Sequence, residues 1–514
     1  MTVPELLERA GLNIPDKEAI VYGSKRLSYR QFDELANRMA NALIKQGVKK
    51  GDKVAMWMFN SDAFAVAYFG ILKAGAVAVP INFKLIPAEV AYIVHNSDAV
   101  SFIYDDVFQE GVNGFEKDTP NVKTTVCAGE KCQPGKASFV FEEILEMSSP
   151  DHPGVKIDRF DHSDIIYTSG TTGRPKGALF MHDNLVMEAA HFIPVVGLNE
   201  EDRILHVAPL FHSAELHLYF VPGIFLGSTH VILHDFIPNK VLETIQNEKI
   251  TQFFGVPTMY LYLMHLPNFD DYDLSSMKFY GYGAAPMPAE SVRQMIKKFK
   301  TENFFSLCGF TEAGPGGVAL KPKDQVRKAG AGGGYIHGME FQIVDDNWNP
   351  VPTGQIGEFV VRGPMTMKEY YKSPEANAQT VSPEGWIRSG DLAFEDEEGI
   401  VTLVDRKKDM IISGGENVYS KEVEDAIALH PAVMESAIIG VPHPVFGETV
   451  TAIIVLKPDQ TLTEKELLTF LEDKLAQFKC PRILKIVESL PHSASGKVLK
   501  RELREQYKSL GKSK

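Results

Sequence analysis

The sequence predicts an α/β protein with at least two domains. Strand-like and helix-like segments alternate over residues 28–104 and again beyond residue 410, a pattern typical of parallel sheets covered by helices. The chain has 514 residues, which is more than one hydrophobic core normally organises. The charged segment 405–409 precedes the second region. We therefore expect a large N-terminal domain of helix-covered mixed or parallel sheets over 1–407 and a small C-terminal α/β domain over 408–514.

The individual elements are predicted from local pattern. Leu35, Met39 and Leu43 share one face of an amphipathic helix over 28–48, which Gly47 can end. Apolar runs bounded by turn residues predict strands at 53–58, 76–80, 100–104, 229–233 and 251–254, with helices at 63–74, 87–95 and 183–190. The C-terminal part is predicted to contain helix 421–429, strands 436–441 and 450–456, helix 463–475 and strand 484–487. Residues 105–160 are polar and are expected to be irregular.

Composition and charge argue against several classes of protein. The net charge of −14 disfavours a nucleic-acid partner, because neutralising phosphates requires a basic face. No apolar run approaches the roughly 18 to 20 residues that span a bilayer, and the first residues lack a signal-peptide pattern. Four cysteines do not make a disulfide framework, and the near pair Cys127 and Cys132 lacks the second ligand pair of a zinc site. We expect a soluble cytoplasmic protein without a transmembrane segment, and the oligomeric state stays open, a homodimer included.

The most informative segment is the loop 168–177 (TSGTTGRPKG), which lies between two strand-like runs. Four hydroxyls, three glycines and one lysine lie within these ten residues. Glycines let backbone N–H groups approach an anion, hydroxyls add donors and Lys176 adds a positive charge. A flexible hairpin is the simpler alternative, but the density of donors favours a polyphosphate site. The segment is not a Walker A loop, because the second glycine is not at the required spacing and no Ser or Thr follows Lys176.

Several other positions combine reactive residue types with a plain structural alternative. His212 begins an apolar helix, where a histidine that simply caps the helix is equally expected. Thr311 and Glu312 follow a strand and offer a phosphate donor beside a hard oxygen ligand for Mg²⁺, although such a pair is usually a solvated turn. Asp391 follows a glycine at a predicted turn, where it can accept bonds from ribose hydroxyls or cap the turn. Lys497 lies in a flexible loop, where a lysine is usually a surface charge.

Segment 168–177 resembles the phosphate loop of the adenylate-forming superfamily, which includes acyl-CoA synthetases, peptide-synthetase adenylation domains and firefly luciferase. Five blocks with matching residue types occur in the superfamily's order between residues 167 and 497. The resemblance implies an AMP-forming acid–thiol ligase, most similar to fatty acyl-CoA ligases. It also implies ATP and Mg²⁺ as cofactors and coenzyme A as co-substrate, with a small C-terminal domain that moves as a lid.

The resemblance implies a role for each matching residue. The β- and γ-phosphates of ATP would bind the loop that contains Thr168, Ser169, Gly170, Thr171, Thr172, Gly173 and Lys176. The adenine would lie against the turn formed by Gly283, Ala284 and Ala285. Thr311 and Glu312 would contact the α-phosphate and Mg²⁺. Asp391 and Arg406 would bind the ribose. Cys308, before Gly309, departs from the pattern, since a tyrosine often stacks on adenine there.

Two further groups of residues belong to the C-terminal domain. Lys497 matches the catalytic lysine of adenylation, and Lys408 is at the hinge position. Gly414, Gly415 and Asn417 match the loop that lines the pantetheine tunnel. The resemblance implies that Lys497 bridges the attacking carboxylate and the α-phosphate, and that rotation about Lys408 then replaces Lys497 by Gly415 for transfer to the thiol.

The acid is predicted from the segments expected to line its tunnel, which contain His212, residues 256–260, Tyr282 and Gly283. Aromatic and small residues mix there without a prominent basic residue, which favours a medium- or long-chain fatty acid over a dicarboxylate or an amino acid. An aryl acid of benzoate or cinnamate type is an alternative, as is an acyl-AMP ligase that loads a free-standing carrier protein. A non-catalytic binding protein is less compatible with the joint presence of two lysines and Glu312.

Overall fold

The computed structural model describes residues 1–133, 138–168, 174–493 and 496–512. Its N-terminal part alternates helices and strands as predicted: α1 (Val3–Asn13), β1 (Glu18–Tyr22), β2 (Lys25–Ser28), α2 (Tyr29–Lys45), β3 (Lys53–Trp57), α3 (Asp62–Lys73), β4 (Val77–Pro80), α4 (Pro87–Asn96), β5 (Ala99–Asp105), α5 (Gln109–Phe115), β6 (Thr124–Ala128), β7 (Ser138–Val140) and α6 (Phe141–Glu146). The expectation that 105–160 is irregular is wrong. Both β6 and β7 add to the edge of a sheet there, and local composition does not reveal edge pairing.

Cys127 and Cys132 form a disulfide with an S–S distance of 2.08 Å. The two residues are five positions apart, and Cys127 lies in β6, next to the edge strand β7. Cys308 and Cys480 are free thiols. From sequence the near pair was considered only as metal ligands, so this bridge was not predicted. The disulfide is a single local link rather than a framework.

The middle of the chain continues the alternation. Its elements are β8 (His162–Thr168), β9 (Lys176–Met181), α7 (His182–Val196), β10 (Arg203–His206), α8 (Ser213–Glu215), a π-helical turn (Leu216–Phe220), α9 (Val221–Leu226), β11 (Thr229–Ile232), α10 (Pro238–Asn247), β12 (Gln252–Gly255), α11 (Pro257–Met264), β13 (Phe279–Gly283), α12 (Ala289–Phe299), β14 (Phe304–Gly309), β15 (Gly317–Leu320) and β16 (Gly334–Tyr335). The predicted strands on both sides of segment 168–177 are confirmed and pair as an antiparallel hairpin.

The last third is richer in antiparallel strands. It contains β17 (Glu340–Val344), β18 (Gly357–Arg362), β19 (Glu369–Tyr370), α13 (Pro374–Thr380), β20 (Ile387–Glu395), β21 (Val401–Arg406), β22 (Ile411–Ser413), β23 (Glu416–Val418), α14 (Ser420–Ala428), β24 (Val433–His443), β25 (Gly447–Leu456), α15 (Glu464–Leu471), β26 (Ile483–Val487) and α16 (Lys500–Tyr507). The elements predicted for the C-terminal part are confirmed with shifted ends.

Helix α2 shows why the sequence pattern succeeds. Ser28 and Gln31 form a capping box, in which the Ser28 hydroxyl accepts from the Gln31 N–H and the Gln31 side chain accepts from the Ser28 N–H. Gly70 of α3 lies directly against Met39 of α2, where a Cβ would come within 2.5 Å of the Met39 side chain. The missing side chain lets the two helices pack closely. Within the described ranges, no helix is both long and apolar enough to cross a membrane.

Two large sheets form the N-terminal region. The first has eight strands in the order β19-β9-β8-β4-β3-β5-β6-β7, and the second has nine in the order β16-β15-β14-β13-β12-β10-β11-β1-β2. Strands β14, β13, β12, β10, β11 and β1 are parallel, whereas β2, β15 and β16 pair antiparallel at the ends. Helices lie on these sheets, so the predicted α/β class with mixed and parallel sheets is confirmed.

Two smaller sheets follow. Strands β17, β18, β20 and β21 form an antiparallel sheet that ends at Arg406, and strands β22 to β26 form a sheet that begins at Ile411. Two apolar clusters in the last sheet and its helices contain only residues after 410, including Val423, Ile438 and Ile453. The predicted boundary at 407/408 falls between the two sheets. Motion of the small unit about Lys408 stays a prediction.

Candidate active site

The carboxyl ends of parallel strands meet at one edge of the nine-stranded sheet. The segments after β10, β13 and β14 carry His212, Ala284 and Thr311 there. With Lys497 they surround a partly open cavity of about 30 Å³, whose lining is His212, Ala214, Leu218, Phe254, Ala284, Leu307, Gly309, Phe310, Thr311, Pro315 and Lys497. The fold thus brings residues predicted from four separate segments to one place.

Lys497 reaches this cavity from the C-terminal unit on a tight turn. The Lys497 N–H donates to the Ser493 hydroxyl at 3.1 Å, and the Ser493 N–H donates to the Lys497 carbonyl at 2.8 Å. Gly496 has a φ of +72°, and a Cβ there would lie 2.5 Å from Cγ2 of Val256. Glycine therefore allows both the left-handed backbone and the close contact with the segment after β12.

Burial and neighbouring charges set the ionisation of Lys497. Burial is the main reason that the pKa of its ammonium falls to about 8, and Arg406 lowers it further, while Asp391 and Glu312 oppose the shift. Near neutral pH the group is still mostly protonated. Lys497 is half-buried and forms no salt bridge with a described residue, so its ammonium favours an anionic ligand.

His212 has both of the roles considered for it. Its Nδ1 accepts a hydrogen bond from the Ala214 N–H at 3.1 Å, which caps the short helix α8. Its ring also lines the cavity beside Lys497. Burial, followed by the charge of Lys497, lowers the pKa of His212 to about 3, so the imidazole is neutral. It can shape the cavity but does not act as a cation there.

Thr311 and Glu312 are held in place by side chains from other elements. The Ser213 hydroxyl donates to Oγ1 of Thr311 at 3.2 Å. Oε1 of Glu312 accepts from the Tyr370 hydroxyl at 2.6 Å and from the Thr168 hydroxyl at 3.4 Å. The predicted pair therefore has a fixed orientation, unlike a solvated turn.

Tyr370 is a site residue that sequence reasoning missed. It belongs to the two-residue strand β19, which pairs with β9 so that Tyr370 lies opposite Ala178. The Lys176 ammonium is 4.9 Å from the centre of its ring. A two-residue strand leaves almost no periodic signal, so only the adjacent tyrosines at 370 and 371 hinted at it.

The hairpin ends that flank the predicted phosphate loop lie beside this cluster. Thr168 and Lys176 are paired across β8 and β9 at the point where the hairpin begins. Ser169, Gly170, Thr171, Thr172 and Gly173 lie outside the described residues, so their predicted phosphate contacts stay predictions. The flanking residues place this loop next to Glu312.

Asp391 and Arg406 are opposite each other across β20 and β21. Arg406 Nε donates to Oδ1 of Asp391 at 3.1 Å. Burial raises the pKa of Asp391, and the charges of Arg406 and Lys497 oppose that shift. The expectation of a turn at Asp391 is wrong: it lies inside strand β20, where Gly390 with a φ of +75° bends the strand and mimics a turn signal in sequence. A groove of about 300 Å³ runs along Ser389, Gly390, Arg406, Lys407 and Lys408.

The predicted adenine-side residues lie at the ends of β13 and β14. Gly283 is packed so closely that a Cβ would be 2.3 Å from the Leu307 carbonyl oxygen. Ala284 has a φ of +66°, a strained conformation for a residue with a side chain, and Ala285 follows it. Cys308 is half-buried, and burial raises the pKa of its thiol to about 12, so the thiol is uncharged. Strain at Ala284 beside a cavity is typical of a binding site.

Some predicted residues do not reach the cavity in this structure. The Tyr282 hydroxyl donates to Gln325 at 2.8 Å inside an apolar cluster. Gly414, Gly415 and Asn417 form the exposed β22–β23 hairpin, and Lys408 is exposed between the small sheets. Among the described residues, the cavity lining includes none of these five. Lys497 and this hairpin belong to the same unit, and only Lys497 faces the cavity here.

The assembled site combines two buried or half-buried lysines with one oriented carboxylate and several hydroxyls. Such a set suits a polyphosphate, because cations and hydroxyl donors bind phosphate oxygens and the carboxylate binds a hard cation. Two family models match the chain, one described as AMP-binding enzyme over residues 7–371 and one as AMP-binding enzyme C-terminal domain over residues 422–497. The chain belongs to the AMP-binding enzyme family. The predicted membership of the adenylate-forming superfamily is thereby confirmed.

Known AMP-binding enzymes match this one over nearly its whole length. It is 36% identical to a feruloyl-CoA synthase of Amycolatopsis sp, with 96% of each chain covered. It is 33% identical to the long-chain-fatty-acid–CoA ligase FadD13 of Mycobacterium tuberculosis (strain ATCC 25618 / H37Rv), covering 94% of this chain and 93% of the relative. The crystal structure of the anthranilate CoA ligase AuaEII in complex with anthranoyl-AMP superposes with a TM-score of 0.92 at 28% identity, covering 100% and 98% of the two chains.

Proposed function

We propose that this AMP-binding enzyme is an AMP-forming acyl-CoA ligase that works in the cytoplasm. In the first step a carboxylate oxygen attacks the α-phosphorus of ATP, and the bond to pyrophosphate breaks to leave acyl-AMP. In the second step the CoA thiol attacks the acyl carbon and AMP leaves. The observation that carries the proposal is the position of Lys497, half-buried at the cavity beside Thr311 and His212.

The residues at the cavity meet the main difficulty of the first step, which is repulsion between two anions. A protonated Lys497 can contact both the acid and the α-phosphate, and Thr311 can donate to the same phosphate. Lys176, near Tyr370, offsets charge that builds up on the departing pyrophosphate. The protein then mainly positions and neutralises its reactants.

A Mg²⁺ ion fits at Glu312. Hydrogen bonds from Tyr370 and Thr168 to Oε1 fix the orientation of Glu312, the carboxylate that would hold the cation. Within the described ranges, no cluster of three or more His, Cys, Asp or Glu side chains could hold a metal ion. Mg²⁺ typically binds one or two carboxylates together with substrate phosphates, and it would supply charge neutralisation at the phosphates when bound.

The second step is proposed to use the C-terminal unit in another orientation. Lys497 and the β22–β23 hairpin both lie beyond Lys408, and the hairpin is exposed while Lys497 is half-buried at the cavity. Rotation about Lys408 would withdraw Lys497 and bring Gly414, Gly415 and Asn417 towards the acyl-AMP. Each step then uses a different face of one small unit.

Two classes of carboxylic acid are candidate substrates of this ligase. The sequence favours a medium- or long-chain fatty acid, and the name of the FadD13 relative supports it. An aryl acid is supported by the names of the feruloyl-CoA synthase and of the anthranoyl-AMP complex. The structure adds one observation in favour of a compact acid, since the cavity beside His212 is small and lined by Leu218, Phe254 and Leu307.

The test is pyrophosphate release with ATP and Mg²⁺ across a panel of carboxylic acids, with and without CoA. The panel runs from acetate to palmitate and includes benzoate and cinnamate. Multiple turnovers that need both an acid and CoA support the ligase. Multiple turnovers that need a carrier protein instead of CoA would favour a carrier-loading ligase. Absence of release with every acid would leave a non-catalytic nucleotide- or acyl-binding protein.

A further inference from the structure

Tyr219 lies immediately behind the cavity wall. It follows Leu218, which lines the cavity, and only 1% of its surface is exposed. The Tyr219 ring packs against the ring of Phe254, a second lining residue, with 5.4 Å between the ring centres. On its other side it contacts Phe192 edge to face at 5.7 Å. Phe254, Tyr219 and Phe192 therefore form a series of ring contacts that begins at the cavity wall.

The Tyr219 hydroxyl packs directly on the backbone of strand β13. A Cβ at Gly281 would lie 2.2 Å from the Tyr219 hydroxyl oxygen and 3.3 Å from Cδ2 of Phe254. Only glycine at position 281 leaves room for this contact. The Tyr219 side chain thus fills the space between its own turn and strand β13, directly behind the cavity lining.

The backbone around Tyr219 is itself unusual. Residues Leu216–Phe220 form a π-helical turn between α8 and α9. A π-helical turn holds an extra residue, which rotates the side chains that follow it, and such turns are often found at functional sites. The turn and the glycine at 281 are independent features that both serve the placement of Tyr219.

We propose that Tyr219 sets the length of the acid, and that the enzyme takes a compact acid, either short-chain or with a single ring. This inference rests on the proposed ligase function and names its substrate class. The cavity beside Lys497 is small, about 30 Å³, and Phe254, which lines it, packs against Tyr219. A compact acid needs only small shifts of the lining side chains, whereas a long chain must displace Tyr219 from Gly281.

The test compares chain-length profiles of the wild type with Tyr219→Ala and Tyr219→Phe. The measured quantity is the ratio of kcat/KM for dodecanoate to that for butanoate, with benzoate as a ring-containing reference. Tyr219→Ala should raise the ratio about tenfold or more, because pockets discriminate about 10- to 200-fold per methylene. Tyr219→Phe removes only the hydroxyl and should raise the ratio by a smaller factor. It provides the test if the alanine variant does not fold.

Phe220→Ala is the matched control. Phe220 is fully buried on another face of the same turn, against the rings of Phe69, His206 and His230. Its loss should lower the melting temperature without changing the chain-length ratio. An equal change of the ratio in both alanine variants would mean general loosening and would overturn the role of Tyr219.

A binding measurement separates this inference from the ligase function. Acyl-sulfamoyl-adenosines of 4 to 12 carbons mimic acyl-AMP without reacting, and calorimetry gives their affinity for each variant. Absence of pyrophosphate release with every acid would refute the ligase function. A length limit in the binding series that Tyr219→Ala relaxes would still support the role of Tyr219 in limiting chain length. The role of Tyr219 is refuted if the wild type prefers dodecanoate to butanoate and benzoate, or if Tyr219→Ala leaves both length profiles unchanged.

Discussion

The Tyr370 hydroxyl donates a 2.6 Å hydrogen bond to Oε1 of Glu312. Tyr370 is on an edge strand of the eight-stranded sheet, and Glu312 follows β14 of the nine-stranded sheet. Burial and the Glu312 carboxylate raise the pKa of Tyr370 above its ordinary value, so the hydroxyl keeps its proton and remains a donor. This bond joins the two sheets at the point where we propose that Mg²⁺ and ATP bind.

Tyr370→Phe should lower kcat/KM for Mg·ATP about 10- to 100-fold. A hydrogen bond to a charged group contributes about 1.5–3 kcal/mol, and without it Glu312 loses its fixed orientation. Tyr371→Phe is the matched control, because the Tyr371 hydroxyl donates to Asp98 at 2.9 Å instead. Steady-state kinetics of pyrophosphate release would measure both, and equal losses in the two variants would remove Tyr370 from the site.

The sequence predicted the site where residue types and motif order carry the information. His212, Ala284, Thr311 and Lys497 come from four segments, and the fold places them around one cavity. Helix α2 was predictable because its apolar period and its capping residues agree. These features are local, and local features are what a single sequence displays.

Features that depend on long-range pairing were not predictable. Tyr370 reaches Glu312 only because β19 pairs with β9, almost 200 residues earlier in the chain. The strands β6 and β7 are short, lie at one end of their sheet and lack a strong apolar alternation. Asp391 resembled a turn residue because a glycine precedes it, but pairing with β21 keeps that segment in a bent strand.

The pH dependence of adenylation should report Lys497. Its pKa of about 8 means that the ammonium is charged at pH 7 and loses its proton as the pH rises through 8. We expect kcat/KM for ATP to be level below pH 7 and to fall about tenfold per pH unit above 8, since kcat/KM reports groups of the free enzyme. Cys308 and His212, with pKa values of about 12 and about 3, do not titrate in this range. In Lys497→Arg the fall should move beyond pH 10, and an unchanged fall would assign it to another group.

Gly496→Ala should slow adenylation more than transfer to CoA. A Cβ at residue 496 would meet Cγ2 of Val256 at 2.5 Å and would disturb the turn that carries Lys497 into the cavity. Gly354→Ala controls for backbone strain, since Gly354 also has a positive φ, of +82°, but has no neighbour near its Cβ position. Adding Val256→Ala should restore part of the adenylation rate. Failure of that double variant to recover, with the transfer step equally slow, would contradict the steric explanation.

Lys408→Pro should reduce overall thioester formation while leaving the first formation of acyl-AMP nearly intact. Proline fixes its own φ and restricts the residue before it, which hinders rotation at this position. Lys408→Ala keeps the backbone freedom and should behave like wild type in both steps. Rapid-quench measurement of acyl-AMP and of acyl-CoA would separate them, and normal thioester formation in the proline variant would exclude Lys408 as the hinge.

Measuring the two half-reactions separately in wild type and Lys497→Ala tests the role of Lys497 in adenylation most directly. Pyrophosphate release in a single turnover without CoA reports adenylation, and conversion of supplied acyl-AMP with CoA reports transfer. Because the cation of Lys497 lines the cavity, we predict that the alanine variant loses adenylation by about 100- to 1,000-fold and keeps transfer within a few-fold of wild type. Equal loss of both half-reactions, or adenylation at the wild-type rate, would contradict the assignment of Lys497 to the first step.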